Sequence, residues 1–328
     1  MNTMKSLQVV SPGSFEPVST PIPELDASLT DSLLIKTGWV SLCGSDIPFF
    51  TGNKRNKSYP LPAGAPIHEC VGEVVKSTSV DFLPGDHVVA IPEGDRGLAQ
   101  FFVAQSSKAV KLPPGLPDNG TACLVQPLST VLNALDRLGV VEGKSVAVIG
   151  LGSIGLFFCW LLAQRGAASI IGVDPLAERC QLAEKLGATR TYPNRSIELV
   201  HASRQTGGGW QPPDICIEAV GHQMDTLNDC IDLVRKRGTV LAFGVPDQPV
   251  YALEYETFFR KNAHLLAVVT PDWKEYLEKA RDIFLVNQEV MEKMVTHRLP
   301  IREAGKVFTL YEQHADGIIK AVLDASAW

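Results

Sequence analysis

Two clusters of residues in this chain have the types and spacing that chemistry needs. The first is Cys43-Gly44-Ser45-Asp46, followed by His68-Glu69, with His68 25 residues after Cys43. A thiolate, an imidazole and a carboxylate are the donor types of a catalytic zinc, which leaves one position open for substrate. Taken by themselves, Cys43, His68 and Glu69 leave two readings open. They hold one cation, or they are a core cysteine and a structural histidine of the kind many folds contain. The second cluster is Gly150-Leu151-Gly152-Ser153-Ile154-Gly155. Gly150 permits a tight turn, Gly152 lets backbone approach a pyrophosphate, and Gly155 lets the following helix pack on its strand. The amides of Ser153 and Ile154 would open that helix and face phosphate. Asp174 stands 19 residues after Gly155 at the end of the next strand-like run. An acid there accepts hydrogen bonds from ribose hydroxyls and repels a 2′-phosphate, which favours NAD over NADP. Arg179 lies close in sequence and would soften that preference, or serve as a solvated helix residue.

The elements around these clusters follow from pattern. Short apolar runs at 32–40, 70–76, 86–91 and 100–104, separated by Gly, Pro and Asp, read as strands of a β-rich region. Helical spacing begins near Asn119 and stops at Gly139. From Ser145 the pattern alternates. Strands are predicted at 146–149, 169–174, 189–192, 214–219, 239–245 and 265–269, with helices at 156–165, 176–186 and 224–237. Repeated strand–helix–strand units imply a parallel sheet covered on both faces, and six strands make a full dinucleotide fold. After Thr270 come a helix at 273–284, a turn around Leu299-Pro300, a helix at 303–312 and a closing strand at 318–323. That tail is too short to be a domain and is expected to return to the β-rich first third.

Bulk properties narrow the function. The chain has 328 residues, of which 45% are hydrophobic and 20% charged, enough apolar mass for two cores. A formal charge of −6 argues against a phosphate-backbone binder, so no nucleic-acid partner is expected. The longest basic run, Arg235-Lys236-Arg237, reads as a solvated helix terminus. Seven scattered cysteines with no CxxC pair fit a reducing compartment, and no signal-peptide core opens the chain; a cytoplasmic protein is expected. The uncharged stretch 146–163 competes as a membrane span, but three glycines interrupt it, and strand, turn and buried helix explain it better.

The motifs also occur together in one order. Cys43-Gly44-Ser45-Asp46 precedes His68-Glu69-Cys70-Val71-Gly72-Glu73-Val74, then Gly85-Asp86-His87-Val88, then the glycine turn. Thr296-His297-Arg298-Leu299-Pro300 and Gly317-Ile318-Ile319-Lys320 follow near the end. In this the chain resembles the medium-chain zinc-dependent alcohol and polyol dehydrogenases, over nearly its whole length. The sorbitol and threonine dehydrogenase branch is nearest, because Gln126-Pro127-Leu128-Ser129 resembles that branch's Glu-Pro-Leu segment. The resemblance implies an α/β chain with two domains. A GroES-like β-rich catalytic domain would take residues 1–122 and 270–328, and a Rossmann doubly wound parallel sheet would take 123–269. It implies one catalytic zinc on Cys43 and His68, with Glu69 as third ligand or exchanging with water. Ser45 would hydrogen-bond the zinc-bound oxygen and pass on its proton, Arg298 would support the substrate pocket, and Lys320 would lie near the cofactor phosphates. The substrate would be a small alcohol, polyol or carbonyl. By the same analogy the chain would form a homodimer or homotetramer through the sheet edge near 265–269 or the preceding strand.

Four positions depart from the family pattern. Gln126 stands where relatives carry Cys or Glu, and a neutral amide is a poor zinc ligand, so weaker metal affinity follows. Pro48 replaces a frequent relay histidine. Ile67 replaces a glycine before His68. The chain runs from Ile91 to Phe101 with no cysteine, so no structural zinc is expected. Two rivals therefore stay beside the zinc dehydrogenase: a zinc-free NAD(P)H-dependent enone or quinone reductase, and a cofactor-binding sensor. At 48–58, Phe49 and Phe50 could wall a substrate pocket, while Lys54, Arg55 and Lys57 could meet an anionic or polyol substrate or simply be solvated. Cys70 and Cys123 are expected to be core residues, each close enough to the trio to stand in as a ligand.

Overall fold

The computed structural model describes residues 2–25, 30–52, 58–205 and 211–328. The chain forms two compact units, Met1–Ser129 with Pro271–Trp328, and Thr130–Thr270. The first unit opens with a hairpin of β1 (Thr3–Ser11) and β2 (Ser14–Pro21). Alternating polar residues and two prolines hide β2 from a pattern search. Next come β3 (Ser32–Ser41), the short α1 (Ile47–Thr51), β4 (Glu69–Ser77), β5 (His87–Ala90), β6 (Phe101–Gln105) and β7 (Ala109–Lys111). β3 is the hub: it pairs antiparallel with β4 along one edge and with β6 along the other. Leu33, Ile35 and Val40 of β3 are fully buried with Val74, Val88 and Phe102. Burying each such side chain contributes about 1.5–3 kcal/mol.

The helix α2 (Val125–Leu138) crosses the division between the units. The second unit then alternates strand and helix: β8 (Ser145–Ile149), α3 (Ser153–Gln164), β9 (Ser169–Val173), α4 (Ala177–Lys185), β10 (Arg190–Tyr192), α5 (Ser196–Arg204), β11 (Ile215–Glu218), α6 (Asp225–Leu233), β12 (Thr239–Ala242), α7 (Tyr255–Lys261) and β13 (His264–Ala267). Every neighbouring pair is parallel, in the order β10-β9-β8-β11-β12-β13. This is the doubly wound order, with the direction of strand addition reversing at β8. The uncharged stretch that suggested a membrane span is β8, the glycine turn and α3. Among the described residues, no helix is long and apolar enough to cross a membrane. Nine residues of α3 are buried, and Phe158 meets Phe243 edge to face at 5.2 Å, so its apolar surface is used inside the unit.

α6 stops at Leu233, earlier than the spacing predicts, because Val234 is extended. The basic run at 235–237 therefore lies in a turn, and Arg235 Nε donates to Asp214 Oδ1 at 2.7 Å. The tail returns to the first unit through α8 (Trp273–Val286), α9 (Gln288–Met294), β14 (Val295–Pro300), α10 (Ala304–Glu312) and β15 (Lys320–Asp324). Leu299-Pro300 is the end of a strand and not the predicted turn. β14 lies parallel to β15, which pairs antiparallel with β3, so both ends of the chain share one sheet.

Candidate active site

The register of β3 and β4 builds the first cluster. Ser41 pairs with Glu69 and Val40 with Cys70, so Cys43, just past β3, and His68, just before β4, reach the same end of the sheet. Cys43 begins a single 3-10 turn, Gly44–Asp46, that folds back on it. Asp46 Oδ2 accepts the Cys43 amide at 2.8 Å, and its Oδ1 lies 3.0 Å from His68 Nδ1. One buried carboxylate thus fixes both the cysteine backbone and the imidazole. Burial acts to lower the His68 pKa, but the Asp46 charge, its hydrogen bond and the neighbouring Cys43 hold it well above the usual imidazole value. With Nδ1 paired to Asp46, Nε2 is the ring nitrogen left to face a cation, whose binding would have to displace the Nε2 proton.

Donor atoms of Cys43, His68 and Glu69 all lie within 4.8 Å of one another. Zinc–ligand bonds of about 2.0–2.3 Å place tetrahedral donors about 3.5 Å apart, so a small contraction would seat an ion. The sulfur, ring nitrogen and carboxylate oxygen also match zinc's donor chemistry. Glu69 is not idle, however. Its Oε1 accepts from Lys320 Nζ at 2.7 Å, Ser41 Oγ donates to its Oε2, and Lys320 Nζ also donates to Leu42 O at 2.8 Å. Glu69 and Lys320 are both fully buried. This corrects the expectation for Lys320, whose ammonium is buried against Glu69 rather than facing cofactor phosphates. Both charges sit in β strands with covered faces, where only a partner of opposite sign makes burial tolerable.

Three further residues need placing. Among the described residues the half-buried Ser45 hydroxyl has no hydrogen-bond partner, which leaves it free for a ligand. Arg298 does not join the trio. Its guanidinium donates to Asn119 O at 3.0 Å, to Thr121 Oγ1 at 3.2 Å and to both Glu292 oxygens at 2.7 Å. It braces the segment that enters α2, which carries the buried Gln126 in its first turn. Phe50 is corrected as well. It is 2% exposed, stacks on Phe15 at 5.3 Å and meets Phe308 at a tilt at 5.0 Å, so it is core and not pocket wall. Phe49 packs beside Val9, Leu61 and Ala65. Lys54, Arg55 and Lys57 lie outside the described residues. Cys70 and Cys123 are buried, and burial pushes both thiols well up, which keeps them protonated and poor ligands.

In the second unit the glycine turn has the form its spacing predicts. Gly150 takes a left-handed φ of 91°. A Cβ on Gly155 would lie 1.8 Å from Gly150 O, while one on Gly152 would meet nothing within 4 Å. An unobstructed backbone at Gly152 is what a phosphate approaching the start of α3 would need. Asp174 Oδ2 accepts from Leu151 N at 2.8 Å, its Oδ1 accepts from Leu176 N at 2.9 Å, and Arg179 Nη1 lies 3.5 Å from Oδ2. The acid is therefore locked to the turn itself, where a dinucleotide ribose would meet it.

Sequence reasoning missed Asp46, Ser41 and the Glu69–Lys320 pair. A signal existed for the first, since an acid three residues after Cys43 can cap the turn that Cys43 starts. None existed for the last, whose partners are 251 residues apart.

Comparison with known proteins agrees with this geometry. The alcohol dehydrogenase GroES-like domain model matches residues 30–114, and the zinc-binding dehydrogenase model matches 153–284. Sorbitol dehydrogenase of Ovis aries is 30% identical over 73% of this chain and 75% of its own. L-threonine 3-dehydrogenase of Bacillus licheniformis is 25% identical over 94% of this chain and 95% of its own. A Sinorhizobium meliloti protein described as a zinc-binding dehydrogenase, solved with NADP bound, shares the fold with a TM-score of 0.82 at 24% identity, over 99% of this chain and all of that one. The chain belongs to the zinc-type medium-chain alcohol/polyol dehydrogenase family.

Proposed function

We propose that this protein is an NAD-dependent alcohol or polyol dehydrogenase with one catalytic zinc and no structural zinc. The observation that carries the reading is the convergence of Cys43, His68 and Glu69 within 4.8 Å. A zinc-free enone or quinone reductase would have no use for that donor set. Its relatives' names, sorbitol and threonine dehydrogenase, favour a hydroxyl-bearing substrate. Asp174 at the turn favours NAD, although one solved neighbour holds NADP.

Each residue then has a role. Cys43, His68 and Glu69 hold the metal, and Asp46 keeps the His68 ring oriented. Ser45 Oγ relays the proton of the substrate hydroxyl, accepting it while handing its own to water, and runs the relay backwards in the reverse direction. The bound zinc supplies Lewis acidity at the substrate oxygen and the nicotinamide supplies the hydride acceptor. Gly150, Gly152, Ser153, Ile154 and Gly155 cradle the pyrophosphate, with Asp174 and Arg179 at the adenosine ribose. Arg298 acts through the segment it braces.

The reading extends to a cytoplasmic homodimer or homotetramer. Seven unpaired cysteines support the reducing compartment. Strand β13 is an open sheet edge, and Tyr255 and Phe259 of α7 are each 67% exposed, which supports self-association there.

Elemental analysis of unchelated protein should give about one zinc per chain. Turnover of an alcohol from a polyol panel with NAD should disappear on chelation and in Cys43→Ser. Chelator-resistant turnover at full rate would refute the reading.

A further inference from the structure

A further buried carboxylate, Glu218 in the dinucleotide unit, has no part in the scheme above. It ends β11 and is 3% exposed. Four donors converge on it. Val220 N at 3.0 Å, Gly221 N at 2.9 Å and Thr226 Oγ1 at 2.9 Å reach Oε1, and Gly244 N at 3.1 Å reaches Oε2. The Glu218 backbone carbonyl also accepts Phe243 N and Gly244 N at 3.0 Å each. The side chain therefore ties its own strand's exit, residues 219–222, to the exit of β12, residues 243–245.

That knot leaves no slack. Gly221 has a left-handed φ of 70°, and a Cβ there would lie 2.6 Å from Val245 N. A Cβ on Gly244 would lie 2.3 Å from both Glu218 Oε2 and Gly221 N. His222 continues left-handed and donates its amide to Val245 O at 2.7 Å. The same exit touches the glycine turn, since a Cβ on Gly150 would meet Val220 Cγ2 at 2.7 Å.

The sheet order says which half of a dinucleotide meets this knot. In an open parallel sheet the ligand lies across the carboxyl ends of the strands at the switch point, here between β8 and β11. Asp174, after β9, marks the adenosine side. The other half must then cross the exits of β11 and β12. We infer that Glu218 is a positioning residue that sets the wall of the nicotinamide half of the dinucleotide site by holding residues 219–222 and 243–245 together. This rests on the reading that the unit binds a nicotinamide dinucleotide.

The chemistry of the knot makes the inference testable. A carboxylate only accepts, so all four donors are satisfied. In Glu218→Gln one end of the side chain becomes an NH2 group that itself donates. The amide loses least by turning that end to Gly244 N, which removes the side-chain tie between the exits of β11 and β12 and leaves only their backbone bonds. Thr226→Val removes one donor with little change in shape.

NADH binding is measured by the fluorescence of its nicotinamide ring, and ADP-ribose binding by calorimetry, on the whole chain. ADP-ribose keeps the adenosine and pyrophosphate and lacks the nicotinamide. Glu218→Gln should weaken NADH about tenfold and Thr226→Val about threefold, each with ADP-ribose changed less than about twofold. Parallel losses for both ligands would reduce Glu218 to a stability residue and overturn the inference, as would unchanged NADH affinity. If Glu218→Gln gives no folded protein, the same pair of ligands on Thr226→Val decides. A wild-type chain that binds neither ligand would instead remove the dinucleotide reading beneath it.

Discussion

Replacing Lys320 by Met would test how the metal cluster is balanced. Lys320 and Glu69 are fully buried and lie 2.5 Å apart at their closest atoms. Burial acts to lower the Lys320 pKa, but the Glu69 charge outweighs it and holds the ammonium protonated. Met matches the length of the lysine stem and removes the charge. Glu69 would keep Ser41 as donor and lose its counter-ion, and breaking one side of a buried pair costs about 3–5 kcal/mol. In a unit of this size each kcal/mol moves the melting point about 2–4 °C, so metal-stripped Lys320→Met should melt about 6–20 °C below wild type. The double variant Lys320→Met with Glu69→Gln should recover part of that loss, because no buried charge remains unpaired. Added zinc should raise the melting point of Lys320→Met more than that of wild type, since its Glu69 oxygen is free to take the ion. Circular dichroism melts with and without zinc read all three effects. A fall below about 2 °C, or a zinc response no larger than wild type's, would refute the view that Lys320 and the metal share Glu69.

Two other perturbations follow from geometry. Gly155→Ala places a methyl 1.8 Å from Gly150 O, so the turn must open; NADH titration should show affinity down at least about tenfold, and an unchanged constant would mean the turn does not hold the pyrophosphate. Asp214 is held below the usual carboxylate range by the Ser145 amide, which outweighs burial, with help from Arg235. Its stabilisation is therefore full above the unfolded value of about 4 and is lost as pH falls through the lower folded value. Asp214→Asn should lose about 1 kcal/mol at pH 7 in denaturant titrations, with the gap to wild type closing below about pH 4; a gap independent of pH would rule out the charge as its source.

The dinucleotide unit was legible because its strands are buried on both faces. Apolar runs such as Val146-Ala147-Val148-Ile149 then need no alternation, and the glycine turn punctuates them. Errors concentrated where a strand lies at an edge or in a hairpin. β14, Val295–Pro300, is half polar and ends in proline, and an edge strand tolerates both, so its pattern reads as a turn. β2 fails for the same reason. Lys320 was misplaced for a different one. The resemblance set it near the cofactor phosphates, and only the pairing of β15 with β3 reveals that this ammonium meets Glu69 across 251 residues of chain. Phe50 shows the reverse case, an aromatic beside a pocket motif that the fold spends on its core.

Gln126 looked from sequence alone like a plain loss of metal affinity, and the buried charges around the trio give it a context. Glu69 is already matched by Lys320, and Asp46 by His68. Gln126 is itself buried, so an acid at that position would need a partner of opposite sign to make its burial tolerable. A neutral amide avoids that desolvation cost. In the proposed site the metal would then be gripped less by the number of anionic ligands than by how firmly Cys43 and His68 are aimed. Asp46 does the aiming, gripping the Cys43 amide with one oxygen and the His68 ring with the other. Orienting a ligand from behind is worth about 10–100-fold in metal affinity.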